Sequence, residues 1–383
     1  MTKNTIKREQ SSNLFEALSN GSILRAAKYT IKREQRTNRV WTMPNGSILR
    51  EAKKNICFLF LVLVTAISYV SCNNEWEDEQ YVQLASFKAE PNSNGVTFTY
   101  LRYNPEGNVT YQLPVIMSGS TPNTKSRTIH IGLDLDTLAI LNTEQYGDRE
   151  ELYFKAPDPK YYSFPETIEI PAGESTGVLP IEFTLGDLDQ SDKWVLPLMI
   201  LDDQPDNYEA NPRKYYRRAL LRISPFNDYS GTYSGTLYKI VLEGDTQNPL
   251  TLSSHRTFVA DDKTIFIYAG NRNIDYTDRK LYKIFIEFTD EKVDLLTRKL
   301  RLYTDNPEIN LQVTGQPSYS VEEAMDVTKP YLKHIYVTLN LAYEFVDYTT
   351  VPGNVLHYSV SGLLSMQRDL NTLIPDEDQQ IQW

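Results

Sequence analysis

The stretch Tyr268-Ala-Gly-Asn-Arg-Asn-Ile-Asp-Tyr276 has the composition best suited to binding a polar ligand. Aromatic faces stack on the apolar side of a sugar ring, while amide, guanidinium and carboxylate groups make paired hydrogen bonds to hydroxyls. Loops on a rigid β scaffold are common places for recognition. The alternative is a plain hairpin connection whose tyrosines pack on the sheet. The candidate glycan-binding residues are Tyr268, Asn271, Arg272, Asn273, Asp275 and Tyr276.

Catalytic motifs are absent from the chain. No G-x-S-x-G elbow, P-loop, H-E-x-x-H or G-x-G-x-x-G occurs. None of the four histidines, His130, His255, His334 and His357, stands at metal-ligand spacing from another, and His130 and His334 fall in strand patterns. We therefore predict no catalytic residue, no metal site and no cofactor.

Carboxylates are the remaining source of chemistry. Glycoside hydrolysis needs two of them about 5–9 Å apart, and the sequence does not contain that distance. Asp187, Asp189 and Asp192 have the oxygen ligands that calcium prefers, although a solvated turn is the interpretation we favour. A second aromatic candidate, Tyr161-Tyr162, precedes a strand pattern at Ile168 and is better explained as part of the core.

Cys72 carries the clearest chemical signal in the sequence. The run 56–70 is uncharged and apolar, it follows Lys53 and Lys54, and Ser71 stands directly before the cysteine. A basic flank, a short apolar core and a small residue describe a secretory signal. Its 15 residues fall short of the about 20 that span a bilayer. Val70-Ser71-Cys72 resembles a lipobox, so we predict cleavage before Cys72 and lipidation of its thiol.

The residues around this signal indicate a destination outside the cell. An acidic stretch follows Cys72, which we interpret as a tether over 72–80; it resembles the surface-export signal of Bacteroidetes lipoproteins. The leader before the signal contains a direct repeat, with residues 5–10 recurring at 30–35, so Met43 is an alternative start. We assign 1–71 to leader and signal peptide, and we expect a lipid-anchored protein facing outward on the outer membrane.

Charge and cysteine content narrow the possible partners. Residues 72–383 contain 27 Lys and Arg against 46 Asp and Glu. A body this acidic repels phosphate backbones, which argues against nucleic acid. The sequence has two cysteines, and Cys57 lies inside the signal. The mature chain would therefore fold without disulfides.

The spacing of apolar residues predicts an all-β fold. Strand patterns separated by turns occur at 96–102, 109–117, 127–133, 166–170, 178–185, 194–201 and 215–223, with a short helix after Asp136. This number of short strands is typical of an immunoglobulin-like sandwich, which we place at 81–224.

Residues 226–383 form the second predicted domain. Strand patterns recur at 232–242, 264–269, 281–288, 298–303, 309–313, 333–346 and 355–366. Ser320-Val-Glu-Glu323 is a capping-box pattern that predicts a helix. The remaining strands favour either a closed, calycin-like antiparallel barrel or a second sandwich.

Several stretches resemble a family of uncharacterised two-domain Bacteroidetes surface lipoproteins. Residues 111–201 are similar to its N-terminal domain of unknown function, through Tyr111-Gln-Leu-Pro-Val115, Ile168-Glu-Ile-Pro-Ala-Gly173 and Trp194-Val-Leu-Pro-Leu198. The end of the chain, Met366–Asn371 with Ile374–Trp383, is similar to the closing signature of the family's β-rich C-terminal domain. The resemblance implies a link to polysaccharide utilisation, and it brings no binding residues with it.

These observations together predict a non-catalytic, surface-anchored protein that captures a polysaccharide or oligosaccharide. It would contact the membrane through its lipid, and other outer-membrane glycan-uptake proteins are possible partners. Two alternatives remain open at this point: a structural or adhesive protein of the fimbrial type, and a carboxylate-dependent glycosidase.

Overall fold

The computed structural model describes residues 79–383. The predicted lipidation site Cys72, the signal segment and the leader repeat lie outside the described residues. Within 79–383, no helix is both long enough and apolar enough to cross a membrane.

The first part of the described chain is a β-sandwich with two short helices. Its elements are β1 Leu84–Phe87, β2 Thr97–Arg102, β3 Asn108–Met117, β4 Arg127–Leu133, α1 Leu135–Tyr146, β5 Phe154–Lys155, β6 Tyr162–Ser163, β7 Thr167–Ile170, β8 Thr176–Thr184, β9 Lys193–Ile200, β10 Glu209–Ala210, α2 Lys214–Arg217 and β11 Arg218–Phe226.

Two sheets face each other in this sandwich. One has the order β10-β1-β3-β8-β6, and the other has the order β2-β11-β9-β4-β7 with β5 beside β9. Strand β8 alternates between exposed and buried positions, so Leu179, Ile181 and Phe183 point inward. They pack with Leu196 and Leu198 of the facing sheet in one core. The predicted all-β sandwich is confirmed.

Helix α1 begins where the side chain of Asp134 caps it. The Asp134 Oδ1 atom accepts a hydrogen bond from the Thr137 backbone N–H at 3.0 Å, which satisfies one of the free donors of the first turn. Gly147, with a φ of 57°, ends the helix. The predicted helix is thus present and starts slightly earlier than expected.

The second part of the described chain continues in strands. They are β12 Thr232–Leu242, β13 Asp245–Thr251, β14 Ser254–Arg256, β15 Phe258–Asp261, β16 Thr264–Tyr268, β17 Lys283–Lys292, β18 Arg298–Tyr303, β19 Gln312–Val313, β20 Ser318–Met325, β21 Leu332–Asp347, β22 Leu356–Asn371 and β23 Ile381–Gln382.

These strands close into an antiparallel barrel. The hydrogen-bonded path runs from β12 through β22, β21, β20, β18, β17 and β16 to β15. Strands β14 and β15 are consecutive parts of one strand interrupted at Thr257. The first part pairs with β12 and the second with β16, so the ring is complete. Of the two predicted alternatives, the barrel is therefore the one observed. Closure removes the exposed edges that strands of this length would otherwise present.

Side chains fill the barrel interior. Isoleucines and leucines from neighbouring strands are packed there with several tyrosines. The hydroxyls of Tyr238 and Tyr343 hydrogen-bond to each other at 2.6 Å inside this core, so neither polar group is left unpaired. The barrel is therefore a packed core at this level, and binding surfaces must be sought at its ends and outer face.

The helix predicted at Ser320–Glu323 is wrong, because these residues lie in strand β20. Val321 pairs with Val337, and the ladder continues to Met325 opposite Lys333. A capping-box pattern is a local signal of a helix start, whereas here pairing along the full length of β20 determines the backbone. Tertiary pairing has overridden the local pattern.

A histidine between two carboxylates holds the turn that follows β20. The Nδ1 atom of His334 lies 2.7 Å from Asp369 on the neighbouring strand, and its Nε2 atom lies 3.2 Å from Asp326. Asp326 also accepts hydrogen bonds from the backbone N–H groups of Thr328 and Lys329. The hydrogen bond to Asp369, reinforced by that to Asp326, raises the pKa of His334.

A raised pKa makes the contribution of His334 depend on pH. Its stabilising charge is complete below the pKa of about 6.5 that histidine has in the unfolded chain, and is lost as the pH rises through the higher folded value. We expect His334→Gln to lower the melting temperature more at mildly acidic pH than at alkaline pH. Thermal unfolding across this range measures the difference. His357→Gln, a more exposed histidine 3.9 Å from Glu243, is the control, and equal losses at both pH values would contradict the assignment.

The sandwich covers one outer side of the barrel. All five residues of β16 are buried, because Ile265 and Ile267 belong to the barrel core while Phe266 and Tyr268 form an outer cluster with Phe258. The guanidinium of Arg256 lies 5.4 Å from the ring of Phe258 and equally far from the ring of Phe98 on the sandwich. Burial on both faces explains why β16 is apolar throughout.

The last residues of the chain fasten the barrel to the sandwich. The indole of Trp383 stacks on Tyr100 with ring centroids 3.9 Å apart, and it packs edge-on against Phe226. Asp378 in the same tail pairs with Arg102 of β2. The C-terminal stretch Ile374–Trp383 therefore acts as a clasp, which means that its side chains hold the barrel against the sandwich.

Removing the indole should weaken this clasp. Trp383 keeps 52% of its surface exposed, so we expect Trp383→Ala to cost about 2 kcal/mol rather than the larger loss of a fully buried aromatic residue. Chemical denaturation measures the free energy of unfolding. Leu373→Ala is the matched control, because Leu373 is in the same tail but 72% exposed. Equal effects of the two substitutions would show that the stacking contributes nothing.

Candidate functional site

The loop predicted to bind glycan lies at the junction between sandwich and barrel. Tyr268, at its start, has no exposed surface, and its ring packs against Phe258 and Phe266 at centroid distances of 5.5 and 5.7 Å. A ring enclosed in this way offers no face to a sugar. The prediction for Tyr268 is therefore corrected: its place is in the packing between the two parts.

Arg272 is also unavailable to a ligand. Its guanidinium lies 3.6 Å from the ring of Tyr282 and pairs with Asp278 and Asp347, each at 3.0 Å. These charge-assisted contacts fasten the loop to the end of β21. Burial alone would raise the pKa of Asp347, but hydrogen bonds from Thr350 and the guanidinium outweigh it, so that the pKa is lowered.

The remaining predicted residues separate into two groups. Asn271, Asn273 and Tyr276 are exposed, and the side chain of Asn273 accepts a hydrogen bond from the Asp275 backbone within the turn. Asp275 instead reaches the sandwich, where Lys193 donates to it at 2.5 Å. The six predicted residues are thus close in the chain but do not form one accessible surface.

Arg279, for which the sequence pattern gives no signal, holds this loop to the sandwich. It is 1% exposed, and it donates to the carbonyl oxygens of Ser191 and Glu151, both at 2.9 Å, and of Tyr276 at 3.0 Å. A guanidinium has five N–H donors in a fixed plane, which suits it to carbonyls from separate segments. The polar residues that suggested a ligand-binding loop instead make hydrogen bonds and ion pairs between the barrel and the sandwich.

Two of the three aspartates considered as calcium ligands form ion pairs with lysines. Asp189 pairs with Lys283 at 3.1 Å. Asp192 pairs with Lys280 at 2.8 Å and with Lys155 at 2.9 Å. Within residues 79–383, no group of three or more histidine, cysteine and acidic side chains has an arrangement suited to a metal ion. Both aspartates therefore act as partners in ion pairs across the junction.

The second aromatic candidate packs on the sandwich core. Tyr161 and Tyr162 are half-buried against it. The ring of Tyr162 stacks with Phe164, and the Tyr161 hydroxyl donates to the Asp187 carbonyl at 3.4 Å.

The four histidines occupy unrelated places. His130 and His334 lie in β4 and β21, as their strand patterns predicted, and His130 pairs with Asp203 at 2.9 Å. His255 is buried, and burial lowers its pKa, which keeps the ring neutral. His357 alone lines an open cleft.

This cleft lies at one end of the barrel and has a volume of about 380 Å³. The turn after β12, the end of β21, the start of β22 and the segment around β19 surround it. Its floor contains a stacked aromatic pair, Phe345 and Tyr358, with ring centroids 5.3 Å apart. The polar residues on its walls are Glu243, Thr246, Asn310, Gln312, Glu344, His357 and Ser359.

The cleft combines the groups that sugar binding requires. Phe345 is buried and supports Tyr358, which is half-exposed and can present part of its ring. Amides, hydroxyls and carboxylates from several strands surround these rings and offer both donors and acceptors. Phe345 and Tyr358 are directly opposite each other on β21 and β22, so the strand register fixes their stacking.

Sequence reasoning missed this cleft because four separate segments build it. They are 241–246, 310–312, 344–346 and 357–359, and no one of them has a distinctive composition. Only the register of β21 with β22 brings the aromatic pair together.

Two family models match this chain. The first is described as Domain of unknown function (DUF4973) and matches residues 76–205. A second model, for a C-terminal domain, matches residues 217–365. Among curated proteins there is no match.

Three solved structures from Bacteroides are similar over nearly their whole length. A protein of unknown function from Bacteroides ovatus is 44% identical, with 78% of this chain and 96% of that chain covered and a TM-score of 0.70. A second protein of unknown function from the same species is 41% identical, with 79% and 100% covered and a TM-score of 0.70. An auxiliary nutrient binding protein from Bacteroides thetaiotaomicron is 40% identical, with 76% and 97% covered and a TM-score of 0.69.

Identity at this level across both the sandwich and the barrel is far above what a shared fold alone produces. The chain therefore belongs to the same family as these Bacteroides proteins, and its residues 76–205 match the DUF4973 model.

Proposed function

We propose that this protein is a non-catalytic glycan-binding lipoprotein anchored at the cell surface, and that the cleft at the end of the barrel is its binding site. The observation that carries the proposal is the composition of that cleft: a stacked Phe345–Tyr358 pair surrounded by amide, hydroxyl and carboxylate groups. A relative that matches along both domains is described as an auxiliary nutrient binding protein, and a glycan is a nutrient with the chemistry this cleft suits.

The ligand would bind with one sugar ring over Tyr358. Hydroxyl groups around that ring would bond to Gln312, Asn310 and the carboxylate of Glu344, which line the cleft side by side: Gln312 pairs with Glu344 across β19 and β21 and donates to Asn310 at 3.0 Å. Each such bond contributes modestly in water, so affinity depends on several acting together with the aromatic contact. An open cleft of this kind accommodates an oligosaccharide or the end of a longer chain.

A glycosidase is the alternative that this geometry makes testable. Glu243 and Glu344 line the same cleft, and hydrolysis would require one of them as acid and the other as base or nucleophile. Release of reducing sugar that stops with Glu243→Gln would favour the enzyme. Binding that survives this substitution without any hydrolysis favours capture.

Tethering completes the proposed mechanism. Acyl chains on Cys72 would hold one end of the protein at the membrane, since each buried CH₂ contributes about 0.8 kcal/mol. The acidic stretch behind Cys72 would separate the sandwich from the membrane surface. The barrel cleft would then face the medium from which glycans arrive.

Truncating Tyr358 should remove the aromatic contact. We expect Tyr358→Ala to weaken glycan binding about 10-fold or more, the equivalent of about 1.4 kcal/mol, and also to lower the melting temperature, because the ring packs against the barrel core; binding is therefore measured at a temperature where the variant is folded. Isothermal titration against a panel of polysaccharides, followed by titration of the variant with the best ligand, measures this change.

Tyr216→Ala is the matched control for that experiment. Tyr216 is a 44% exposed tyrosine in helix α2 of the sandwich, and it is not among the residues that line the cleft. Its substitution should leave the affinity unchanged. Loss of binding with Tyr216→Ala but not with Tyr358→Ala would move the site to the sandwich, and no binding to any glycan would overturn the proposal.

The anchor has an independent test at Cys72. We expect Cys72→Ser to release the protein from the membrane fraction and to abolish labelling by a fatty-acid probe, because serine lacks the thiol that is acylated. Cys57→Ser changes the other cysteine, inside the signal, and should leave both unaffected. Fractionation and metabolic labelling of expressing cells provide the measurement; retention of the label on Cys72→Ser would exclude lipidation at this residue.

A further inference from the structure

A small cavity lies between the sandwich and the barrel, and it shares no lining residue with the proposed binding cleft. Its volume is about 40 Å³, enough for roughly three waters or one small ion. Arg222 and Arg256 both line it, together with Gln190, Ser224, Tyr100 and Trp383.

Arg222 is buried without an opposite charge beside it. It lies on β11, where Leu221 and Ile223 point into the sandwich core and Arg222 points toward the barrel. Only 8% of it is exposed. Its Nη1 atom donates to the carbonyl oxygens of Trp194 at 3.2 Å and Asp192 at 3.4 Å, and its Nη2 atom donates to the Asp192 carbonyl at 3.5 Å. It forms no ion pair with any carboxylate of residues 79–383. These long bonds leave the Nε–H and one Nη2–H for another partner.

Arg256, which is exposed and lies at the open side of the cavity, brings a second positive charge from the barrel. Its guanidinium lies between the rings of Phe98 and Phe258, and it too has no ion pair within the described residues. The negative charge of Asp275 favours the charged form of Arg256 without contacting it, but that carboxylate already forms an ion pair with Lys193. Burial lowers the pKa of Arg222 to about 9, and repulsion from Arg256 adds to the effect. Two like charges thus share one cavity.

Arg368 adds to the positive charge on this side of the junction. It is 7% exposed, and it donates to the carbonyl oxygens of Asn227 at 3.1 Å and Ser230 at 2.7 Å. Ser230 also lines the cavity. Arg222 and Arg256 thus line one cavity and Arg368 lies beside it, all three without an ion pair to a carboxylate of residues 79–383; Arg222 and Arg368 are buried, whereas Arg256 is open to solvent.

We propose that a small oxyanion of the phosphate, sulfate or carboxylate class occupies this cavity and bridges Arg222 of the sandwich to Arg256 of the barrel. A buried charge left without a counter-ion costs several kcal/mol. An oxyanion offsets that cost, and the planar guanidinium binds oxyanions in a two-pronged geometry. The cavity is too small for a sugar ring, so the anion is a structural ligand, independent of glycan binding at the cleft.

Inorganic phosphate is a suitable probe. A ligand that binds only the folded state raises its stability by mass action. We expect the melting temperature of the purified protein to rise with phosphate at constant ionic strength and to level off. At a phosphate concentration about 100-fold above the Kd, the rise should be about 5 °C. Equilibrium dialysis with labelled phosphate should give one bound ion per chain.

Arg222→Met gives the sharpest comparison, because it removes the charge and keeps the length of the side chain. Without added anion it should melt at or above the wild-type temperature, since an uncompensated buried charge has been replaced by an apolar group. With phosphate its melting temperature should stay constant while that of the wild type rises above it. Arg213→Met removes an exposed arginine of the sandwich and should keep the full response.

Several outcomes would overturn the proposal. Identical phosphate dependence of the wild type and Arg222→Met would place the ion elsewhere, and dialysis without a bound ion would leave only water in the cavity. If Arg222→Met does not fold, Arg256→Met tests the same site from the barrel side, where the prediction is again loss of the phosphate response. None of these results depends on whether the cleft binds a glycan.

Discussion

The burial of guanidinium groups between the sandwich and the barrel is the constraint on which the rest of the structure depends. Arg279 leaves the barrel loop and satisfies its donors on carbonyl oxygens of the sandwich. Arg272 fastens the same loop back onto the barrel through Asp278 and Asp347. A guanidinium removed from water must keep its hydrogen bonds. The two domains are therefore held in the one arrangement that provides these partners.

Other features follow from this arrangement. Strand β16 is apolar on both faces because the sandwich covers the face that would otherwise be exposed. Trp383 can pack against Tyr100 and Phe226 only when the two domains are in contact. The loops near the junction are occupied by internal contacts, whereas the cleft lined by Tyr358 is open to solvent.

The fold was largely predictable from the sequence, whereas the site was not. Strands such as β8 alternate strictly between buried and exposed residues, and this period is a direct consequence of the pleat. The helix expected at Ser320 failed because a local capping pattern cannot register the pairing of β20 with β21. The expectation that Tyr268 and Arg272 face a ligand failed for a different reason, since both are buried. Polar and aromatic residues have the same composition whether they face a ligand or a neighbouring domain, and only three-dimensional contacts separate the two. The cleft depends on four segments whose proximity is a property of the strand register.

The two domains are joined by a short segment of chain, but many side-chain contacts hold them together. Only residues 227–231 join β11 to β12, and Asn227 and Ser230 within that link are themselves bonded to Arg368. Tension applied to the barrel while the sandwich is held would act first on the lysine–aspartate and arginine–carbonyl contacts, and on the short link only after they had parted. A protein fixed at one end and pulled at the other by a long polymer in moving fluid would therefore have its mechanical strength set at this junction. The ionic contacts there would act as the element that yields before either domain unravels.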